Sequence, residues 1–175
     1  MSTNKGRDSR SYFHGTYQVT LDEKGRFSVP AEIRYKLLPE DRETFMIFPS
    51  GDSYLMAYPL QEWFFFIDKV RENISRDKLH QVIHLLESQV AECPLDAQGR
   101  IRIPTSLIAD LELNKDLTIS AAGNHFRIWN TTDYKAFQRQ IDRSEYNALI
   151  NHSVGESLHL PSTESLKHSS SLDEG

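Results

Sequence analysis

The chain has 175 residues, of which 38% are hydrophobic and 26% charged, and its formal net charge is −5. This length fits one domain, or two small ones that share a core, and the composition is that of an ordinary globular protein. A single cysteine, Cys93, excludes an intramolecular disulfide and a cysteine-only zinc site. We expect it to be a buried, unreactive thiol. No segment has the pattern of a signal peptide or is long enough to span a bilayer, so the sequence predicts a cytoplasmic protein without a membrane partner.

The charge is distributed unevenly along the chain. Residues 144–175 carry a net −4, residues 1–143 only −1, and the first 36 residues +3. This distribution excludes a generally basic coat that would bind DNA without specificity, but it is compatible with a local basic patch.

A ten-residue motif occurs twice, at Leu21–Pro30 and again at Leu95–Pro104, with an offset of 74 residues. Leu, Asp, Gly, Arg and Pro occupy the same places in both copies. Repetition at such a spacing indicates one structural unit used twice.

Each unit is predicted to contain the same elements in the same order. In the first unit, alternating side chains from Tyr17 to Leu21 predict a strand, and the turn Asp22–Gly25 is expected to lead back through Arg26–Val29 as an antiparallel hairpin. A short helix and two further strands follow in the first unit, and the second unit repeats the pattern. The expected elements are the helix Ala31–Leu38 and strands Thr44–Phe48 and Tyr54–Tyr58, then the strand Arg100–Ile103, the helix Pro104–Leu111 and strands Leu117–Ala122 and His125–Trp129.

Helices are expected after each unit, at Leu60–Asn73, Asp77–Val90 and Thr132–Arg143. Together these elements predict an α+β fold in which two β-rich repeats form a shared small barrel flanked by helices. The expected division of the chain is an N-terminal extension (1–15), repeat 1 (16–62), linker helices (63–90), repeat 2 (91–134), a C-terminal helix (135–150) and a disordered acidic tail (151–175).

One aromatic residue in the first linker helix admits two interpretations. Trp63, Phe66 and Ile67 begin an apolar stripe at helical spacing, whereas Phe65 lies nearly opposite that stripe. Either a neighbouring helix covers Phe65 or another subunit does, and the sequence leaves the two open.

The repeated motif contains the candidate functional residues. A purely structural role explains the aspartates and glycines, because Asp caps a turn, Gly permits its bend and Asp can pair with Arg across it. It explains the arginines less well. Strand alternation puts Arg26 and Ser28 on one polar face, and likewise Arg100 and Arg102. Two such elements could read a DNA groove, although spacing alone favours the structural role.

Several motifs extend this pattern along the chain. They are Phe13-x-Gly15-x-Tyr17, Leu21-Asp22-x-Lys24-Gly25-Arg26-x-Ser28-x-Pro30, Tyr58-Pro59-Leu60-x-Glu62-Trp63, Ala91-Glu92-Cys93, Leu95-Asp96-x-x-Gly99-Arg100-x-x-Ile103-Pro104 and Phe126-x-Ile128-Trp129. In this order they closely resemble the bacterial MraZ family, from about Phe13 to Phe137. The resemblance implies two SpoVT-AbrB-type domains in one chain, assembled as a ring-shaped homo-oligomer. It also implies a nucleoid-associated transcriptional regulator that binds double-stranded DNA repeats at the promoter of the division and cell-wall gene cluster, including its own gene.

The resemblance places DNA binding on the Asp-x-x-x-Arg signatures, that is on Asp22 and Arg26 and on Asp96 and Arg100, with Lys24 at the basic position of the first. Strand alternation adds Ser28 and Arg102, which share the polar faces of the two arginines. The second signature departs from the first, since Gln98 stands where Lys24 stands in the first, and Arg102 restores a charge two residues after Arg100.

Two alternatives remain beside DNA binding. One is an oligomeric protein-interaction scaffold that binds no DNA. The other is a metal-dependent hydrolase built on His80, His84 and Glu87, which share a flank of the second linker helix. The sequence favours a solvated face there, since Gln81 breaks the His-Glu-x-x-His motif. No nucleotide-binding or nucleophile motif is present, and we expect neither catalysis, nor a cofactor, nor a small-molecule substrate.

Overall fold

Eight strands form two sheets in the computed structural model, which describes residues 11–154. The strands are β1 (Thr16–Thr20), β2 (Arg26–Ser28), β3 (Thr44–Pro49), β4 (Tyr54–Pro59), β5 (Ala91–Pro94), β6 (Arg100–Arg102), β7 (Asp116–Ala121) and β8 (Phe126–Asn130). The helices are α1 (Ala31–Arg34), α2 (Leu60–Asn73), α3 (Arg76–Gln89), α4 (Thr105–Asp110), α5 (Thr131–Gln140) and α6 (Arg143–Val154), with a 3-10 turn at Pro39–Asp41. The α+β prediction is confirmed.

The larger sheet has six antiparallel strands in the order β1-β7-β8-β4-β3-β5. The first repeat supplies β1, β3 and β4, and the second supplies their counterparts β5, β7 and β8. If each strand is replaced by its counterpart, the order becomes β5-β3-β4-β8-β7-β1, which is the same sheet read from its other edge. The repeat in the sequence therefore appears as an internal two-fold pseudo-symmetry.

The smaller sheet is a two-stranded ribbon made of β2 and β6. The hairpins predicted at the two repeated turns are wrong: β2 does not pair with β1 but with β6, its counterpart from the other repeat, and β1 pairs with β7. Val29 N–H donates to the Gly99 carbonyl at 3.0 Å, and Ile103 N–H donates to the Gly25 carbonyl at 2.8 Å. Each turn is thus held by the strand of the other repeat. Alternation predicts which face of a strand is buried, but it cannot name the partner strand.

The apolar faces of the ribbon belong to the main core, as predicted. Phe27, Val29, Ile101 and Ile103 are all buried within it. Cys93 on β5 is also buried there, and loss of hydration raises the pKa of its thiol to about 12. The ribbon is therefore anchored from below, while its polar side chains remain on the outside.

A second apolar cluster lies beneath α2. Trp63 and Ile67 pack there with Phe48 and Tyr58, and half-buried side chains of α3 cover the edge. The predicted stripe of α2 thus faces inward. Phe65 remains 42% exposed and its neighbour Phe64 52%, so the opposite side of α2 is only partly covered by the residues that the structure describes.

The C-terminal boundaries differ from the prediction. Within residues 11–154, one compact unit ends at Ala136 and a second begins at Phe137. The predicted helix Thr132–Arg143 ends earlier, and α6 begins after Asp142, whose Oδ1 accepts the backbone N–H groups of Ser144 (2.7 Å) and Glu145 (3.3 Å). Residues 151–154 are helical instead of belonging to the tail. The remainder of the predicted disordered tail and most of the N-terminal extension lie outside the described residues. None of the described helices combines the length and apolar character needed to cross a membrane.

Candidate nucleic-acid interface

The first turn is organised by one carboxylate. Asp22 Oδ1 accepts the backbone N–H groups of Lys24 and Arg26, both at 2.9 Å. Asp22 Oδ2 accepts the side chain of Arg26 through Nε at 2.9 Å and Nη2 at 2.8 Å. One oxygen therefore fixes the bend of the backbone, and the other fixes the direction of the guanidinium.

The second turn repeats this arrangement and adds one contact. Asp96 Oδ1 accepts the backbone N–H groups of Gln98 (2.9 Å) and Arg100 (3.0 Å), while Oδ2 accepts Arg100 Nε at 2.8 Å and Nη2 at 2.7 Å. Arg100 Nη2 also donates to Gln98 Oε1 at 3.2 Å. Lys24, at the equivalent place in the first turn, is a cation and cannot accept such a bond.

The electrostatics of the two carboxyl groups follow from these bonds. The Arg100 side chain, followed by the Arg100 backbone N–H, lowers the pKa of Asp96 to about 2. The pKa of Asp22 is also lowered, chiefly by the backbone N–H and then by the side chain of Arg26. Both turns therefore keep an ionised, fully engaged carboxylate at neutral pH.

The ribbon brings side chains of the two repeats together. Its register pairs Arg26 with Arg102, Phe27 with Ile101 and Ser28 with Arg100. Ser28 and Arg102 are exposed, and Arg26 and Arg100 are half-buried. Arg102, which the sequence analysis grouped with the second turn, thus lies across the ribbon from the arginine of the first turn. Directly opposed side chains are about 5 Å apart at Cβ, so Arg26 and Arg102 form a cationic pair.

Glycine is required at the bend of each turn. Gly25 and Gly99 both have φ +72° and both are buried. A Cβ on Gly25 would lie 2.9 Å from Cδ1 of Ile108 in α4, and a Cβ on Gly99 would lie 2.8 Å from Cζ of Arg34 in α1. Arg34 and Ile108 are themselves related by the 74-residue offset. The short helix of each repeat therefore packs against the turn of the other repeat. Arg34, a cation, makes this contact at the second turn, and Ile108 makes it at the first.

Sequence reasoning missed Arg34. Its place on α1 carries no local signal, because α1 belongs to the first repeat and the turn it contacts belongs to the second. Only the crossed packing reveals it. Arg34 Nε donates to the Val29 carbonyl at 3.0 Å, which fixes the base of the side chain. A groove of about 740 Å³ between β1 and the segment from Ser28 to α1 has both Ser28 and Arg34 in its lining.

The other predicted side-chain group lies elsewhere. His80, His84 and Glu87 are exposed on α3. Within residues 11–154 no group of three or more His, Cys, Asp or Glu side chains is arranged to hold a metal ion. The predicted solvated face is confirmed.

A buried polar chain connects α2 to the bend between β7 and β8. Glu62 is only 2% exposed, and its Oε2 accepts Asn124 Nδ2 at 2.9 Å. Asn124 Oδ1 lies 3.1 Å from Nδ1 of His125, whose ring stacks on Tyr58 with centroids 4.5 Å apart. Burial, followed by repulsion from Arg127, lowers the pKa of His125 to about 4. His125 is therefore a neutral, structural residue at pH 7.

Comparison with known proteins gives a consistent result. A family model described as "MraZ protein, putative antitoxin-like" matches residues 12–84 and 88–150. The chain is 31% identical to the transcriptional regulator MraZ of Natranaerobius thermophilus over 136 residues, which are 77% of this chain and 92% of the relative. It is 32% identical to the protein of that name from Ligilactobacillus salivarius over 77% of this chain and 90% of the relative. It is 30% identical to the transcriptional regulator MraZ of Syntrophobacter fumaroxidans, over 85% of this chain and 99% of the relative. The family match and the paired turns agree, and the chain belongs to the MraZ family.

Proposed function

We propose that this chain is a sequence-specific DNA-binding transcriptional regulator whose reading element is the β2–β6 ribbon. The naming of its relatives as transcriptional regulators supports regulation of transcription. The observation that carries DNA binding is the pair of arginines on one ribbon, each held from the side by an aspartate of its own turn. The candidate residues are Asp22, Lys24, Arg26, Ser28, Asp96, Arg100 and Arg102.

The ribbon has a suitable size for a DNA groove. Two strands are about 5 Å apart, and the major groove, about 12 Å wide, admits a two-stranded β-ribbon. The outward side chains of the two three-residue strands form a short surface that carries Arg26, Arg100 and Arg102. The apolar side chains beneath it are buried, so the surface is rigid before it meets DNA.

The orientation of Arg26 leaves a useful edge of its guanidinium available. Asp22 takes Nε and Nη2. Of the five N–H donors of arginine, both on Nη1 and one on Nη2 have no acceptor within the described residues. An edge made of Nη1 and Nη2 can bridge O6 and N7 of guanine. At Arg100 the bond from Nη2 to Gln98 occupies this second donor, so Arg26 is the better base reader of the two.

The finer parts of the proposal come from the family resemblance. They are two SpoVT-AbrB-type repeats, 16–62 and 91–134, in a shared small barrel, assembly as a ring-shaped homo-oligomer, and association with the nucleoid in the cytoplasm. The target would be DNA repeats at the promoter of the division and cell-wall gene cluster. A ring presents many ribbons, and linked weak contacts bind repeated DNA far more tightly than one contact does.

A mobility-shift titration on the DNA upstream of its own operon, repeated across salt concentrations, tests the proposal. Arg26→Ala should lower the preference over random DNA by about 10- to 100-fold, the loss expected for a bidentate base contact. Arg26→Lys should keep the charge and lose part of the preference, because the flexible lysine ammonium lacks the planar fork that Asp22 holds in one orientation. Lys78→Ala on α3 removes an exposed cation elsewhere and serves as the control.

Two results would contradict sequence-specific DNA binding by the ribbon. The first is equal affinity of the unaltered protein for promoter and random DNA. The second is full binding by both Arg26→Ala and Arg100→Ala, with the oligomer mass by light scattering unchanged. The scaffold alternative, which the exposed Phe64 and Phe65 favour, predicts instead that the unaltered protein binds neither promoter nor random DNA.

A further inference from the structure

We propose that Arg34 and Arg100 form a phosphate-binding subsite at the second turn, so that a cation of the first repeat completes the DNA contact of the second. This inference rests on the proposed function. It assigns a ligand class, the DNA phosphodiester, and a role to a residue of α1 that lies outside both repeated turn signatures.

The charge of the two turns supports this assignment. Besides its Asp–Arg pair, the first turn has the cation Lys24 and the acid Glu23, and the further cation Arg102 lies opposite Arg26. The second turn has Gln98 in place of the lysine, and its ribbon partner at Arg100 is the neutral Ser28. If the helices are left out, the first turn and its ribbon partner therefore carry more cations than the second turn and its ribbon partner do. Arg34 is the residue of α1 whose guanidinium contacts the second turn.

The packing fixes where the Arg34 charge lies. Its Cζ and Nη1 are both 2.8 Å from the position that a Gly99 Cβ would take, and Gly99 precedes Arg100 directly. Nε is held by the Val29 carbonyl at 3.0 Å. Nη1 and Nη2, for which residues 11–154 provide no acceptor, therefore belong to a side chain with restricted rotamers. A preordered cation loses little conformational entropy when it binds an anion.

The pseudo-symmetry provides an internal comparison. At the first turn the place of Arg34 is taken by Ile108, whose Cδ1 is 2.9 Å from the position of a Gly25 Cβ. An aliphatic side chain is therefore sufficient to pack against a turn glycine of this geometry. Packing alone does not require the charge at position 34, and the presence of a cation at the turn that lacks a lysine indicates a ligand.

The surface around Arg34 is accessible to a phosphate. Arg34 and Ser28 line the same groove of about 740 Å³, and Ser28 is the ribbon partner of Arg100. The two turns then divide the functions between them. At the second turn Arg100, with Nη2 shared between Asp96 and Gln98, binds backbone phosphate together with Arg34. At the first turn Arg26, free to bridge a guanine, reads sequence.

Three variants test the subsite: Arg34→Ile, Arg34→Lys and the double variant Arg34→Ile with Gln98→Lys. Arg34→Ile copies the side chain that the first turn uses, and it should weaken promoter and random DNA alike by about tenfold. It should also reduce the slope of log affinity against log salt by about one for each phosphate that is no longer bound. Arg34→Lys should restore most of both quantities. The double variant places a lysine where the first turn has Lys24, and it should recover affinity and salt slope without restoring the packing of Arg34.

The outcomes separate the subsite from the proposed function. If the unaltered protein shows no preference for promoter DNA, the proposed function fails. If that preference exists and Arg26→Ala abolishes it, but Arg34→Ile binds with unchanged affinity and salt slope, only the subsite is overturned. If Arg34→Ile binds weakly and Gln98→Lys does not rescue it at equal thermal stability, Arg34 acts by packing, which also overturns the subsite.

Discussion

Replacing Gly25 with alanine tests the crossed packing of turn and helix directly. The left-handed backbone at φ +72° costs about 1 kcal/mol for alanine relative to glycine. The new Cβ would also lie 2.9 Å from Ile108 Cδ1 and 3.1 Å from the Ile103 carbonyl oxygen. That carbonyl belongs to the residue whose N–H is bonded to Gly25, so it has little room to move. Overpacking of this kind adds about 2 kcal/mol, and Gly25→Ala should lower the unfolding free energy by about 3 kcal/mol.

Gly51 provides the matched control. It also has a positive φ, +86°, but a Cβ there would meet no atom within 4 Å. Gly51→Ala should therefore show the backbone cost alone, about 1 kcal/mol. At about 3 °C per kcal/mol, thermal denaturation at fixed protein concentration should show losses of about 9 °C for Gly25→Ala and about 3 °C for Gly51→Ala. Gly99→Ala should fall between them, because the atoms nearest to a Cβ there are all side-chain atoms of Arg34, whereas a Cβ on Gly25 also meets the backbone carbonyl of Ile103. Equal losses for Gly25→Ala and Gly51→Ala would refute the crossed packing.

Two further predictions concern the buried polar chain. Because the folded protein holds the His125 pKa near 4, below the ordinary 6.5, the unfolded chain takes up a proton first and stability falls as pH drops from about 6.5 to 4. The loss of stability is at most about 3 kcal/mol. The variant His125→Phe can still stack on Tyr58, and its melting temperature should change less between pH 7.5 and pH 5 than that of the unaltered protein. An unaltered pH dependence in this variant would contradict the role given to His125. Glu62→Gln should leave the urea midpoint nearly unchanged, since its amide oxygen still accepts Asn124 Nδ2. Glu62→Ala should cost about 1–2 kcal/mol by leaving that donor unpaired, and equal midpoints for the two variants would show that the bond contributes nothing.

The sequence predicted what depends on local pattern. The repeated motif located both turns. The alternation of apolar and polar side chains correctly predicted that Phe27 and Ile101 are buried and that Ser28 and Arg102 are exposed. It could not predict that β2 pairs with β6, since any exposed strand edge satisfies the same alternation. Arg34 escaped notice for the same reason, because its contact at Gly99 is long-range. The end of α5, by contrast, had a local signal in Asp142, a good N-cap residue for the helix that follows.

The pseudo-two-fold ribbon has one more consequence, which concerns the direction of the DNA site. A symmetric dimer places identical side chains on both halves of its reading element, and its preferred site is therefore palindromic. Here a single covalent chain supplies both halves, and they differ at Lys24 and Gln98, at Ser28 and Arg102, and at Arg34 and Ile108. Such a ribbon has polarity. In the proposed ring, copies that face the same way would match direct repeats in one orientation, and inverting a single repeat within the proposed array would weaken binding at that position alone.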